Sequence, residues 1–138
     1  MKKTFHRLAA LLTLTFGMLL FSGSAMANSD KGSASATGAP VAHLEPFVVN
    51  LSSFDKYLQA VITLQVTANE IGDKIKTYMP MVRHVVIMTL SSKDSAEVQS
   101  SAGKKALVEE LKEKLNGALK TNEHEGVSDV FFENFVIQ

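Results

Sequence analysis

The sequence predicts an α+β domain: a small antiparallel sheet in the order strand, strand, helix, helix, strand, with both amphipathic helices packed on one face. Three observations carry this. Tyr57 to Thr67 alternates apolar and polar residues with period two, two longer segments carry apolar stripes at the helical period, and Val127 to Gln138 closes the chain as an aromatic, strand-like run. Helices with one apolar stripe must lay it on something, and the flanking strands make a sheet the natural partner.

Taken in order, Leu44 to Leu51 (LEPFVVNL) reads as a short strand, with Pro46 near its start, where a missing donor does least harm. Ser52 to Lys56 makes a turn. In the next strand Leu58, Ala60, Ile62, Leu64 and Val66 point one way, and Gln59, Thr63, Gln65 and Thr67 the other, so the two segments pair as a hairpin with one face on the core. Asn69 is placed to cap a helix whose stripe runs Ile71, Ile75, Met79, Val82, Val86 and Leu90. Pro80 interrupts it, and a kink or break is expected there. Ser91 to Gln99 is polar, with room for one short turn and a capping box from Asp94 and Glu97.

The second helix, Ser100 to Leu119 (SSAGKKALVEELKEKLNGAL), is the best determined. Leu107, Leu111, Leu115 and Ala118 form its stripe, Ser100 or Ser101 supplies the cap, and Glu110 with Lys114 is a favourable i,i+4 pair. Glu109 to Lys114 reads as a solvated face, or in a functional reading as a charged subunit contact. In the last strand Phe131, Phe135 and Ile137 share one face, and Val130, Phe132 and Val136 the other. A strand apolar on both faces belongs in the sheet's interior or under an oligomer contact.

Before the domain, Lys2, Lys3, His6 and Arg7 precede an apolar run from Leu8 to Phe21, then Ser22-Gly23-Ser24 and Ala25-Met26-Ala27. That is the pattern of a secretory signal peptide cleaved after Ala27, and the same residues could serve as an N-terminal membrane anchor. Residues 1–27 are therefore leader or anchor, 28–42 (NSDKGSASATGAPVA) a flexible linker, and 43–138 the exported domain.

Composition narrows the chemistry. Among 138 residues, 14 basic and 14 acidic side chains balance, and removing the leader with Lys2, Lys3 and Arg7 leaves a weakly acidic domain, which argues against a nucleic-acid partner. The absence of cysteine excludes disulfides, thiol nucleophiles and thiolate metal sites. His43, His84 and His124 have no metal-ligand spacing, and no serine sits in a G-x-S-x-G context. Gly103-Lys104 lacks the glycine pattern of a phosphate loop, so close packing at a helix start explains it better. Arg83 lies beside Val82 on the first helix stripe and reads as a boundary residue with a buried stem and a paired head.

Several of these pieces, taken together, resemble the FliL family of flagellar basal-body-associated proteins. They are Pro46-Phe47-Val48-Val49-Asn50-Leu51, Tyr57-Leu58-Gln59, Pro80 with Val82-Arg83, Leu90-Ser91-Ser92-Lys93, Gly103-Lys104 with Leu107, and Val130, Phe132 and the closing Phe135-Val136-Ile137-Gln138. The resemblance implies a stomatin-like (SPFH) domain at the periplasmic face of the inner membrane, self-associating as a ring around the flagellar stator and supporting rotation, swimming, swarming and chemotaxis. It implies no enzymatic activity; the charge balance, the scattered histidines and the missing motifs add the expectation of no cofactor, metal, nucleic acid or small-molecule substrate. Family members are usually held by an uncleaved transmembrane helix, so the protein is single-pass if the leader stays and soluble in the periplasm if it is removed. Arg83, Phe131, Phe135 and Ile137 are the candidate self-association surface. Two other readings stay open: a general stomatin-like periplasmic adaptor unconnected with flagella, and a small periplasmic ligand-binding protein.

Overall fold

The computed structural model describes residues 38–53 and 55–138; the leader, most of the expected linker and Phe54 of the turn lie outside the described residues. The elements run β1 (Val41–His43), β2 (Phe47–Asn50), β3 (Tyr57–Val66), α1 (Asn69–Thr77), α2 (Met79–Ser91), α3 (Ser95–Gln99), α4 (Ser101–Leu119) and β4 (Val127–Ile137). This is the expected α+β arrangement, with every strand pairing antiparallel. β3 is central. β4 lines one side of it from Leu58 to Val66, while β1 and β2 share the other side end to end.

Two boundaries differ from the sequence expectation. The strand expected over Leu44–Leu51 is confined to Phe47–Asn50, and a further strand, β1, precedes it from Val41, inside the residues assigned to the linker, with strand pairing interrupted between His43 and Phe47. Pro46 has no donor for a continuous ladder, and the Arg83 guanidinium donates to the carbonyls of Glu45 (3.0 Å) and Pro46 (3.4 Å), holding the break in place. Arg83 also stacks over the Phe47 ring at 4.4 Å. The expected boundary role is thus filled within one chain.

The period-two residues of β3 decide the core. Leu58, Ala60, Ile62, Leu64 and Val66 are all buried, and the helices meet them through Ile75, Val82, Val86, Leu90, Val98, Leu107, Leu111, Leu115 and Leu119. Fully burying each Leu or Ile contributes roughly 1.5–3 kcal/mol, so this one layer supplies most of the driving force. The long apolar stripe does break at the proline: Tyr78 leaves helical geometry and Pro80 sits in the first turn of α2, where its missing donor matters least. Asn69 does not cap α1. Ala68 holds that position with no side-chain bond, and Asn69 is the first helical residue. Asp94 caps α3 by accepting from the Ala96 amide, but Glu97 turns away from a capping box to Lys93, 3.5 Å away. Ser100 caps α4 through the Gly103 amide at 2.9 Å.

Part of the charged face on α4 is internal wiring. The Glu110 carboxylate lies 2.7 Å from Lys114 and 2.6 Å from Lys93, which ties α4 to the segment joining α2 and α3. The Lys114 hydrogen bond, followed by that from Lys93, holds Glu110 below the ordinary carboxylate range.

β4 departs most from expectation. Two bulges interrupt its pairing, at Ser128 (between Val127 and Asp129) and at Glu133 (between Phe132 and Asn134). Each extra residue shifts the alternation by one. The inward set is therefore Val127, Val130, Phe132, Phe135 and Ile137, facing Val66, Leu64, Ile62, Ala60 and Leu58, while Phe131 and Val136 face outward. Phe131 does not share a face with Phe135 and Ile137, as strict alternation requires. Nor is β4 interior: it is paired on one side only among the described residues.

Candidate association surface

Because the helices cover one face of the sheet, the other is bare among the described residues. Five of the exposed large apolar side chains lie on it: Val41 at 46%, Val48 at 70%, Tyr57 at 50%, Phe131 at 43% and Val136 at 41% exposure. The register sets them in rows. Val48, Gln59 and Val136 form one row across three strands, His43, Thr63 and Phe131 a second, and Val41, Gln65 and Asp129 a third. Scattered surface apolar groups are ordinary, but a contiguous set on the uncovered face of a sheet marks an interaction surface.

At the middle of this face the Glu133 bulge brings three polar side chains together. Thr63 donates its only hydroxyl proton to Glu133 and so must accept from His43, whose Nδ1 is 2.7 Å from the Thr63 oxygen and 3.3 Å from Glu133. The imidazole therefore carries its proton on Nδ1. The Thr63 hydroxyl, helped by His43, holds the Glu133 carboxyl below its usual range. A carboxylate with a lowered pKa contributes stability above its ordinary value near 4.5, and that contribution is lost as pH falls through the lowered value. Glu133→Gln is therefore expected to lower stability at neutral pH, with the gap to wild type closing as urea titrations are taken down to about pH 3. A gap that stays constant with pH overturns this assignment.

The four candidate residues do not converge. Phe131 is on the open face. Phe135 and Ile137 are half-buried on the core face of β4, with Phe135 edge-on to Phe132 at 5.0 Å and beneath Lys104 at 5.3 Å. Arg83 lies at the far side of the sheet against Phe47. Missing from the candidates are Val41, Val48 and Tyr57, which their outward register would have flagged, and the His43, Thr63 and Glu133 cluster, which depends on an unforeseen bulge. Among the described residues no group of three His, Asp or Glu side chains could hold a metal ion, and no helix is long and apolar enough to cross a membrane.

Comparison with known proteins gives this fold its context. A family model described as flagellar basal body-associated protein FliL matches residues 41–138, the span from the first residue of β1 to the end of the chain. The flagellar protein FliL of Escherichia coli strain K12 is 30% identical over 115 residues, covering 82% of this chain and 75% of that protein. The flagellar protein FliL of Aquifex aeolicus strain VF5 is 33% identical over 95 residues, covering 67% of this chain and 57% of that protein. With the match running through every strand and helix described above, the chain belongs to the FliL family of flagellar basal-body-associated proteins.

Proposed function

We propose that the protein is a non-enzymatic component of the flagellar basal body that self-associates beside the motor's stator, at the periplasmic face of the inner membrane, and supports rotation, swimming, swarming and chemotaxis. Family membership supplies the flagellar context. The observation that supports a binding rather than a chemical role is the bare sheet face, whose apolar rows surround a small polar cluster. Such a face suits a protein partner: apolar area provides affinity and the central hydrogen-bonding groups provide register.

The test replaces Phe131 and Val136 together by serine. Both side chains point away from the core, so the variant is expected to fold with an unchanged circular dichroism spectrum. It should co-isolate poorly with motor components and impair swimming and swarming in the bacterium that carries it. A folded variant that swims, swarms and co-isolates as wild type overturns this reading of the face.

A further inference from the structure

The bare face carries one sign of fixed charge. At the outward positions of the four strands the charged side chains are Asp129 and Glu133, and no lysine or arginine falls there. The lysines of the described residues lie instead on the helices, in turns and in loops. The two acids differ in setting. Asp129 lies in the outer row with Val41 and Gln65, and its carboxylate accepts from the amide of the neighbouring Val130. Glu133 stands at the centre, between the rows that hold Phe131 and Val136, with its side chain still half open to water. Its Oε1 accepts from Thr63 and lies 3.3 Å from His43 Nδ1, which leaves Oε2 without a partner among the described residues. Because the imidazole proton is on Nδ1, Nε2 of the neutral ring is an acceptor too. Thr63 has spent its proton on Glu133. The cluster therefore offers outward acceptors, held in place by their own bonds, and no donor.

That arrangement constrains whatever covers the face. Burying Phe131 and Val136 is favourable, but it takes Glu133 out of water at the same time. A carboxylate desolvated without a counter-charge is strongly disfavoured, so the occupant has to bring a cation to this point. A carboxylate oxygen already oriented by Thr63 and His43 meets such a cation with little further ordering. Two copies meeting through this same face would set acid against acid, and an anionic bilayer would be repelled by both carboxylates.

We infer that the face receives a segment of another protein in which a lysine or arginine stands between apolar residues. The cation meets Glu133 Oε2 with His43 Nε2 beside it, and its apolar neighbours cover Phe131 and Val136. The apolar rows supply area, and the single charge pair at the centre sets the register and rejects segments that are acidic or wholly apolar. This rests on the reading of the bare face as a partner-binding surface given above, and adds the chemistry of the partner.

The probe is a photoreactive residue, p-benzoylphenylalanine, placed in the full chain at Val136 and separately at Phe131, both exposed, with irradiation in the host cell. Mass spectrometry of the joined product identifies the segment. Both positions are expected to join one segment of another protein, with a lysine or arginine flanked by apolar residues. Adding Glu133→Gln should lower the yield of that product by roughly tenfold, the loss expected for one half of a covered charge pair, whereas Asp129→Asn should change it little. Glu133→Gln also costs the domain stability, so replacing the basic residue of the joined segment by glutamine gives the same readout with the domain untouched. A segment without a basic residue, a lipid, or a second copy of this chain as the product overturns the inference and leaves the face standing as a binding surface. Equal losses from Glu133→Gln and Asp129→Asn, or no loss on changing the partner's basic residue, overturn it too. No product at either position, in cells that swim normally, overturns the inference and the reading of the face together.

Discussion

Replacing Asn116 by alanine is expected to cost the domain about 3 kcal/mol. Asn116 is buried in the last turns of α4, and its amide works as a piece of strand. Nδ2 donates to the Val127 carbonyl and Oδ1 accepts from the Val127 amide, both at 2.8 Å, which fixes the first residue of β4 to the helix. Oδ1 also accepts from the Thr121 hydroxyl at 2.9 Å, and the Thr121 amide is bonded to the Asn116 carbonyl. Val127 is completely buried, so alanine leaves both its backbone groups without partners and out of reach of water. Each such orphan costs about 1–3 kcal/mol, and in a domain of this size the combined loss lowers Tm by on the order of 15 °C. Thr121→Val removes only one bond at a half-buried site and should cost about 1 kcal/mol. Urea titration of the three proteins checks the ranking. Equal losses in the two variants would show that Asn116 does not carry the junction.

Asn116 also shows where the sequence stops being readable. Its spacing places it on α4 beside the apolar stripe, but nothing local says that it bonds to a residue eleven positions away. By contrast, the alternation over Tyr57 to Thr67 is legible because every second residue is apolar and no bulge intervenes in β3. The Pro80 break and the Ser100 cap are legible because each is a local backbone requirement. The strand break before Phe47 needed a tertiary partner, Arg83, to become visible. A proline alone fits a strand start equally well.

The candidate residues on β4 separate for the same reason. Phe131, Phe135 and Ile137 are separated by four and then two residues, and period two places them together. The extra residue at Glu133 reverses the phase after Phe132, so only Phe131 of the three reaches the open face. The bulge simultaneously aims Glu133 at Thr63 and His43. One inserted residue thus turns Phe135 and Ile137 inward and creates a polar cluster, and neither consequence has a local signal. The existence of a bare face was implicit once both helices were assigned to one side of the sheet. Which side chains line it depends on the register.

Gly103→Ala and Gly117→Ala are expected to change stability in opposite directions, although both lie in α4. A Cβ at Gly103 would fall 1.8 Å from the Glu97 carbonyl oxygen and 2.8 Å from its carbon, both backbone atoms that cannot rotate away. Gly103 is also the residue whose amide is bonded by the Ser100 cap, so the corner between α3 and α4 closes over it. Opening that corner displaces Val98 from the core and strains the Lys93–Glu110 tie. Overpacking of this kind costs about 1–3 kcal/mol, and the rigid backbone contact puts this site at the upper end, beyond the gain of about 1 kcal/mol that alanine brings to a helix. At Gly117 a Cβ meets nothing within 4 Å, so only the helix gain remains, and stability should rise by about 0.5–1 kcal/mol. The pairing of Gly103 with Lys104 is then explained by close approach of two helices, and the site needs no phosphate. Thermal denaturation of both variants settles it: shifts of the same sign would mean that the corner tolerates a methyl group, and that the contact to Glu97 is not what requires glycine there.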